Sequence, residues 1–419
     1  MSYPPPVPSK SGLLSPGLWL AVVTLSGWML CMIWPRLPVL LGISSYGMWY
    51  LDSYAVLAAV DALRAGIHLA PGVANPLDPL GRDHKYSDWW FALRWLGLTR
   101  ESNFLVGSTW IGAFALAVWR TVRPRNFRES GWLAVLLLSP GVLLAVHRAN
   151  NDLVIFALLA VCGVAAAGTS WARHILALAA LVVATGLKFY PAPAAMAFLW
   201  VRPLRRRPAV WSLALLAVGL TMASVWSQLK RAQFTFDSTV HTFGAPLIWR
   251  DLGWAGPASV VVSVALITLA AIILARGGFT AGLATEGELA GRLLAALGTI
   301  VVVACFAAGV SYAYRWIFAL WMALWLWRHA GATAPRRQVW TARLGVMLLF
   351  LCCWLDGLLC LTVNLRGAPL SQTDQQEIQL VWRRWTQPVQ WLLIMLLAGW
   401  LLEAAITLVR EWRAGRAAS

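Results

Sequence analysis

The chain is predicted to be an all-α, polytopic integral membrane protein of about twelve transmembrane helices with a large first extracytoplasmic loop. Three observations predict it. Of 419 residues, 60% are hydrophobic and only 12% charged, and the mean hydropathy is +0.67; soluble domains carry about a quarter charged residues. Apolar runs of near-bilayer length recur along the whole chain, separated by basic loops. The 27 tryptophans are in excess, and indole rings favour the membrane–water boundary. Disorder is excluded by the same composition. The net charge of +17 fits anchoring arginines and anionic lipid better than nucleic acid, because the basic residues are scattered between apolar spans.

Taken in order, the expected crossings are Gly17–Trp34, Phe104–Trp119, Gly131–Val146, Asp152–Gly168, His174–Leu187 and Pro191–Val201, followed by Ala209–Trp226, Ala258–Ala275, Leu293–Gly309, Trp316–Trp327, Gly345–Val363 and Val389–Val409. The first reads as a retained helix, because MSYPPPVPSKSG is followed by no convincing cleavage site. Alternating the crossings puts the basic loops Arg120–Arg128, Arg202–Arg207 and Arg328–Arg337 and the tail Arg410–Arg416 on one side, with the N-terminus. The positive-inside rule makes that side cytoplasmic. Three polar segments then face outward within one transmembrane unit spanning 1–419: residues 35–103, 228–256 and 364–387. Within the first, LDSYAVLAAVDALRAG has an amphipathic pattern suited to an interfacial helix. The six cysteines all lie in apolar runs and read as small buried hydrophobes.

Candidate chemistry clusters at the outer helix ends. Asp52 stands at the head of that interfacial helix, either as a helix cap or as a functional carboxylate, while Asp61 reads as a solvated position on the same helix. In His147-Arg148-Ala149-Asn150-Asn151-Asp152, either Arg148 pairs with Asp152 or Arg148 and Asn150 meet an anionic headgroup. Lys188 sits in an apolar stretch just before Tyr190 and the helix-breaking Pro191; it either snorkels to the surface or binds a phosphate. The stretch Phe234–Trp254 mixes Asp237, His241, Arg250 and Asp251 with aromatics, a pattern that holds sugars. Arg315, among Tyr312, Tyr314 and Trp316, has either a ring or a phosphate as partner. Phosphate-loop, dinucleotide-fold, nucleophile-elbow and HExxH motifs are all missing, which removes the cheapest support for ATP-driven transport, dinucleotide cofactors of the Rossmann type and serine hydrolysis.

The order of LDSYAVLAAVDALRAG, NPLDPLGRDHKYSDWWF, NNDLVIFALLA and GLKFYPAPAAMAFLWVRPLRRR, with YAYRWIFAL as a weaker echo, resembles the GT-C superfamily of polyprenyl-phosphate-sugar glycosyltransferases, and within it glycosyltransferase family 87 of the alpha-1,2-mannosyltransferase type. The resemblance covers about the first half of the chain. It implies an inverting transfer of a hexose, mannose first, from a polyprenyl-phosphate donor to an acceptor hydroxyl on the outer face of the plasma membrane, with a glycolipid or glycan as acceptor. It implies Asp52 as the base, and Lys188, Arg148 and Arg315 as the cations that meet the donor phosphate. His241, Asn150, Asn151 and Tyr190 complete the candidate substrate-binding set. No cofactor or metal is implied; HKYSDWWF lacks the family's prolines at that point, and no DxD pair sits in the first loop. The competing class is a transporter or flippase of lipid-linked saccharides, and a non-catalytic scaffold is the third.

Overall fold

Serine and asparagine caps and N-terminal prolines set many of the helix starts in this protein, and apolar length between them makes the spans. The structure, a computed structural model, describes residues 15–43, 48–69, 72–201, 208–226, 241–254, 256–280, 288–332, 334–365 and 372–417. Helix α1 (Pro16–Ile33) begins where the Leu18 amide donates to Ser15 Oγ at 3.2 Å, with Pro16 at the first helical position. The segment between α1 and the next long helix holds a short α2 (Arg36–Leu40), α3 (Leu51–Arg64) and a 3-10 helix over Asp88–Leu96. Helix α4 (Asn103–Thr121) comes next, then α5 (Phe127–Leu137), where the Glu129 amide donates to the Asn126 cap at 2.9 Å. Helix α6 (Pro140–His147) leaves α5 at 61°. The single crossing expected over Gly131–Val146 is therefore two helices, because the Pro140 ring cannot continue the ladder of α5.

Helices α7 (Asp152–Ala166) and α8 (Trp171–Leu187) form a hairpin, and α8 stops at Lys188 ahead of Pro191. The next segment, Ala192–Trp200, is a nine-residue 3-10 helix, too short to cross a bilayer alone. Beyond α9 (Pro208–Ser224), strand β1 (Thr242–Phe243) pairs antiparallel with β2 (Ser311–Tyr312). Between them lie α10 (Pro246–Asp251), α11 (Pro257–Arg276) and α12 (Leu289–Ala308). A 3-10 turn over Ala313–Ala319 leads into α13 (Leu320–Ala330), so the run expected as Trp316–Trp327 is also broken. Helices α14 (Arg336–Asn364) and α15 (Gln372–Ala417) close the chain. Helix α15 carries Pro388 within it, so Gln372–Gln387 is helical where the sequence predicts a loop. Of the expected outer segments, residues 44–47, 70–71, 228–240 (with Asp237), 255 and 366–371 lie outside the described residues, as does the expected basic loop Arg202–Arg207.

By length and composition six helices qualify as membrane spans: α1, α4 with its leading turn, α11, α12, α14 and the Val381–Ala414 part of α15; the bent α5–α6 pair makes seven. Helices α7, α8 and the Ser212–Ser224 part of α9 are apolar but shorter. The chain is thus an all-α multi-pass membrane protein. Helix α12, 61% buried, is the central post, whereas α1 and α11 are 22% buried and form the rim. Their outward Leu18, Val22, Met29, Val261 and Leu269 are exposed, a surface that lipid tolerates and water does not. Close approach at the post uses glycine: a Cβ on Gly298 of α12 would collide with the Phe318 carbonyl oxygen. All six cysteines are free and buried, as their apolar settings implied.

Candidate active site

Helix α3 departs from the interfacial helix expected of its pattern. It is buried on nearly every side, with Val56 and Leu57 packed against Trp90, Val106 and Trp110. The first loop closes over it and over the end of α8: Ser87 Oγ donates to the Gly186 carbonyl, and Trp90 Nε1 to the Leu187 carbonyl at 3.2 Å. Asp61, expected in solvent, accepts from the Arg100 amide and Nε at 3.0 Å each and from Arg64 at 3.2 Å, tying the loop's two ends.

This lid presents Asp52 inward. The residue is 3% exposed and lies in the first turn of α3, too far along to be a cap; the cap position is Tyr50. The initial amides are instead satisfied across the fold, Tyr50 N donating to the His147 carbonyl at 3.1 Å and Asp52 N to the Arg148 carbonyl at 2.9 Å. Arg148 answers with its side chain: Nε donates to both Asp52 oxygens at 3.1 Å and Nη2 to Oδ1 at 2.7 Å. Asn150 Nδ2 donates to Oδ2 at 2.6 Å, and Arg82 Nη1 lies 3.5 Å from Oδ1. Arg82 is in turn held by Asp78 at 2.8 Å and donates to the Leu51 carbonyl at 2.8 Å. Burial lifts the Asp52 carboxyl, but the charge and hydrogen bonds of Arg148, the Asn150 amide and the charge of Arg82 outweigh it and hold the group below the usual carboxylate range.

The turn that delivers Arg148 is a Schellman close of α6. Ala149 N donates to the Val146 carbonyl and Asn150 N to the Ala145 carbonyl, at 3.0 and 2.9 Å. The motif wants glycine at its left-handed position; here Ala149 takes it at φ 43°. Tyr50, at φ 58°, is the other non-glycine residue with positive φ among the described residues. Both flank the Asp52–Arg148 pair. Left-handed non-glycine backbone persists where surrounding contacts over-determine it, and it concentrates at working sites.

A second ionic group adjoins the first. Asp152, 0% exposed, opens α7; its amide donates to Asn150 Oδ1 at 2.9 Å, so Asn150 bridges the two acids. Lys188 Nζ donates to Asp152 Oδ1, and Arg315 Nε faces Oδ2 at 3.7 Å, beyond hydrogen-bond reach. Tyrosines wall the cations: Lys188 Nζ lies 5.8–5.9 Å from the rings of Tyr86, Tyr190 and Tyr314, and Arg315 Cζ is 4.4 Å from that of Tyr190. Tyr314 stacks on Tyr312, whose ring lies 6.0 Å from Arg148 Cζ. Burial, and after it the charge of Asp52, pushes the Tyr86 phenol up, so it stays protonated. Asp152 Oδ2, Arg315 Nε and both amide atoms of Asn151 are buried and have no hydrogen-bond partner among the described residues. Such groups are rare in native proteins and mark polar capacity that a ligand can take up.

Seven of the eight expected site residues therefore converge: Asp52, Arg148, Asn150, Asn151, Lys188, Tyr190 and Arg315. The pairing differs from expectation, because Arg148 grips Asp52 and not Asp152. His241 stands apart. Its Nδ1 lies 4.0 Å from Asp356, and its other ring nitrogen sits by Gly42. Burial lowers His241 from its ordinary 6.5 to about 4, against partial support from the Gly42 and Leu41 backbone. Asp251 pairs with Arg383 at 3.3 Å. Sequence reasoning missed Arg82, Tyr86, Asp152 and Tyr314 as members of the site. Only Asp78 and Arg82, four residues apart in NPLDPLGRD, carried a local signal of pairing. The cluster holds four cations against three carboxylates, so it retains one unit of positive charge toward an anionic ligand. No known protein family, curated protein or solved structure matches the chain.

Proposed function

We propose that the protein is a membrane-embedded inverting glycosyltransferase that moves a hexose from a polyprenyl-phosphate carrier to an acceptor hydroxyl at the outer face of the plasma membrane, in a GT-C-like arrangement whose shorter helices complete about twelve crossings. One observation carries it: a buried carboxylate, Asp52, is clamped by Arg148 beside Lys188 and Arg315, where Arg315 Nε and the Asp152 Oδ2 it faces have no hydrogen-bond partner among the described residues. The identity of the sugar, mannose, rests on the family resemblance alone.

In the resting arrangement Asp52 is ionised but a weak base, since its oxygens are occupied by Arg148 and Asn150. A donor phosphate arriving at Lys188 and Arg315 competes for Arg148 and frees one Asp52 oxygen. The acceptor hydroxyl then gives its proton to Asp52 while its oxygen bonds to the anomeric carbon. The bond from that carbon to the phosphate oxygen breaks on the opposite face, and its electron pair leaves with polyprenyl phosphate. Lys188, Arg315 and the released Arg148 stabilise the growing charge. Asp52 afterwards returns its proton to the departing phosphate or to water.

Purified protein in proteoliposomes with labelled polyprenyl-phosphate hexose and a lipid acceptor tests this. Asp52→Asn is expected to lose about 10²–10⁴-fold in transfer, the usual worth of a positioned base, while still binding donor. Turnover at the normal rate by that variant refutes the mechanism. The break after α8 and the 61° bend at α5–α6 also suit a transporter of the same lipid-linked sugars; translocation of donor without transfer in the same vesicles favours that reading.

A further inference from the structure

At the end of α4 remote from Asp52, a cleft of about 830 Å³ opens between α1 and α4. Its position is set by α4 itself. At the Asn103 end, Asn103 Oδ1 accepts from Ser53 Oγ beside Asp52 at 2.6 Å. Near the far end of this 19-residue helix, at ~1.5 Å per residue roughly 25 Å away, Trp119 and Arg120, with Arg123 just beyond the helix, form the cleft's rim. Both walls belong to helices long and apolar enough to span the membrane, and α1 is mostly uncovered by protein. The cleft therefore opens into the lipid phase, at the bilayer face opposite the ionic site.

Its chemistry is two-part. The interior is apolar, floored by Leu20 and Trp28 of α1 and Leu137 of α5. The mouth is cationic. Arg120 lies 5.3 Å from the Trp119 ring, Arg123 donates to the Arg120 carbonyl at 3.0 Å, and neither has a carboxylate partner among the described residues. Glu129, the nearby acid, is spent on Arg328 at 2.9 Å. Deeper in, the Thr24 hydroxyl is 4% exposed and has no hydrogen-bond partner among the described residues. An oily slot with two guanidiniums that have no carboxylate partner among the described residues at its mouth and a buried hydroxyl within complements one kind of occupant: a phosphate diester attached to acyl chains through esters.

We infer that this cleft is a binding site for an anionic glycerophospholipid, with the phosphate held by Arg120 and Arg123, an acyl chain along Leu20 and Trp28, and an ester oxygen taking the Thr24 hydroxyl. The site is independent of the proposed transfer chemistry. It steadies α1, whose own protein contacts are sparse, against α4, the helix that reaches the Asp52 lid.

Full-length protein in a neutral detergent tests it by thermal unfolding and native mass spectrometry. Phosphatidylglycerol is expected to raise the unfolding midpoint saturably by several degrees, as a ligand specific to the folded state does, and to remain bound in the mass spectrum. Phosphatidylcholine and inorganic phosphate are expected to do neither. The variant Arg120→Gln with Arg123→Gln should lose the response, Arg125→Gln with Arg128→Gln should keep it, and Ala21→Trp should block it by filling the slot if the double-arginine variant does not fold. Equal stabilisation by phosphatidylcholine, by free phosphate, or in both arginine double variants overturns the inference. So does a phosphatidylglycerol response that survives Ala21→Trp.

Discussion

Removing the Arg148 side chain offers the sharpest test of the buried ionic centre. Arg148→Met deletes three N–H contacts to Asp52 at 2.7–3.1 Å and leaves a carboxylate 3% exposed. Arg82 at 3.5 Å and Asn150 at 2.6 Å remain, so the loss belongs at the low end of the ~3–5 kcal/mol for stripping one partner from a buried pair. Asp52→Asn keeps the shape and leaves Arg148, 16% exposed at its side chain, partly solvated; the expected cost is about 2 kcal/mol for leaving a charged group short of its partner. The double variant has no orphaned charge. It is expected to cost about 2–3 kcal/mol in all, giving a coupling of about 2 kcal/mol, within the range for contacting charges. At about 2 °C per kcal/mol, the arginine variant should melt roughly 6 °C below the parent, and the double variant no lower, about 4–6 °C below the parent. Melting of the four proteins in one detergent provides the cycle. Additivity within about 0.5 kcal/mol would show that the two side chains do not share the contact, and the account of Asp52 as a clamped base would fall with it.

Three further outcomes are expected. Lys188→Met should destabilise by about 3 kcal/mol or more, since Asp152 is fully buried and Arg315 stands 3.7 Å off; adding Asp152→Asn should recover most of the loss in the same melting assay. Gly298→Ala should cost about 1–3 kcal/mol through overpacking, because the new methyl meets the Phe318 backbone carbonyl and Trp321; an unchanged melting temperature contradicts the packing of α12 on the 3-10 turn that carries Arg315. For His241 the folded value near 4 lies below the ordinary 6.5, so the unfolded chain binds the proton first. Its contribution is complete above pH 6.5 and is lost as pH falls toward 4, by about 3 kcal/mol at ~1.4 kcal/mol per unit. His241→Gln should flatten that part of the pH–stability curve, and a slope identical to the parent's rules it out.

Some of this architecture is legible residue by residue. The apolar runs beginning near Gly17, Ala258, Leu293 and Gly345 form α1, α11, α12 and α14, because bilayer-length apolar stretches have few alternatives to helix. The run around Gly131–Val146 does not stay whole, since Pro140 needs a start position and α6 turns away there. The pattern LDSYAVLAAVDALRAG reads as interfacial because Ser53, Tyr54, Asp61 and Arg64 gather on one side of a helix, with Asp52 the exception. Burial comes instead from the returning loop, with Trp90 and Arg100 closing over α3. Arg148 and Asp152 are close in sequence and fit a local pair, yet their partners come from positions 52 and 188.

Composition and apolar length thus determine, without coordinates, that the chain lies in a membrane, that its ends of spans carry the ionisable groups, and that Asp52, Lys188 and Arg315 are costly enough to be noticed. Which acid meets which base is decided only by the tertiary structure. Charge pairing depends on distances between segments tens to hundreds of residues apart, and those distances are set by the Schellman turn at Ala149, the lid over α3 and the close packing of α12 at Gly298, none of which has a one-dimensional period to read.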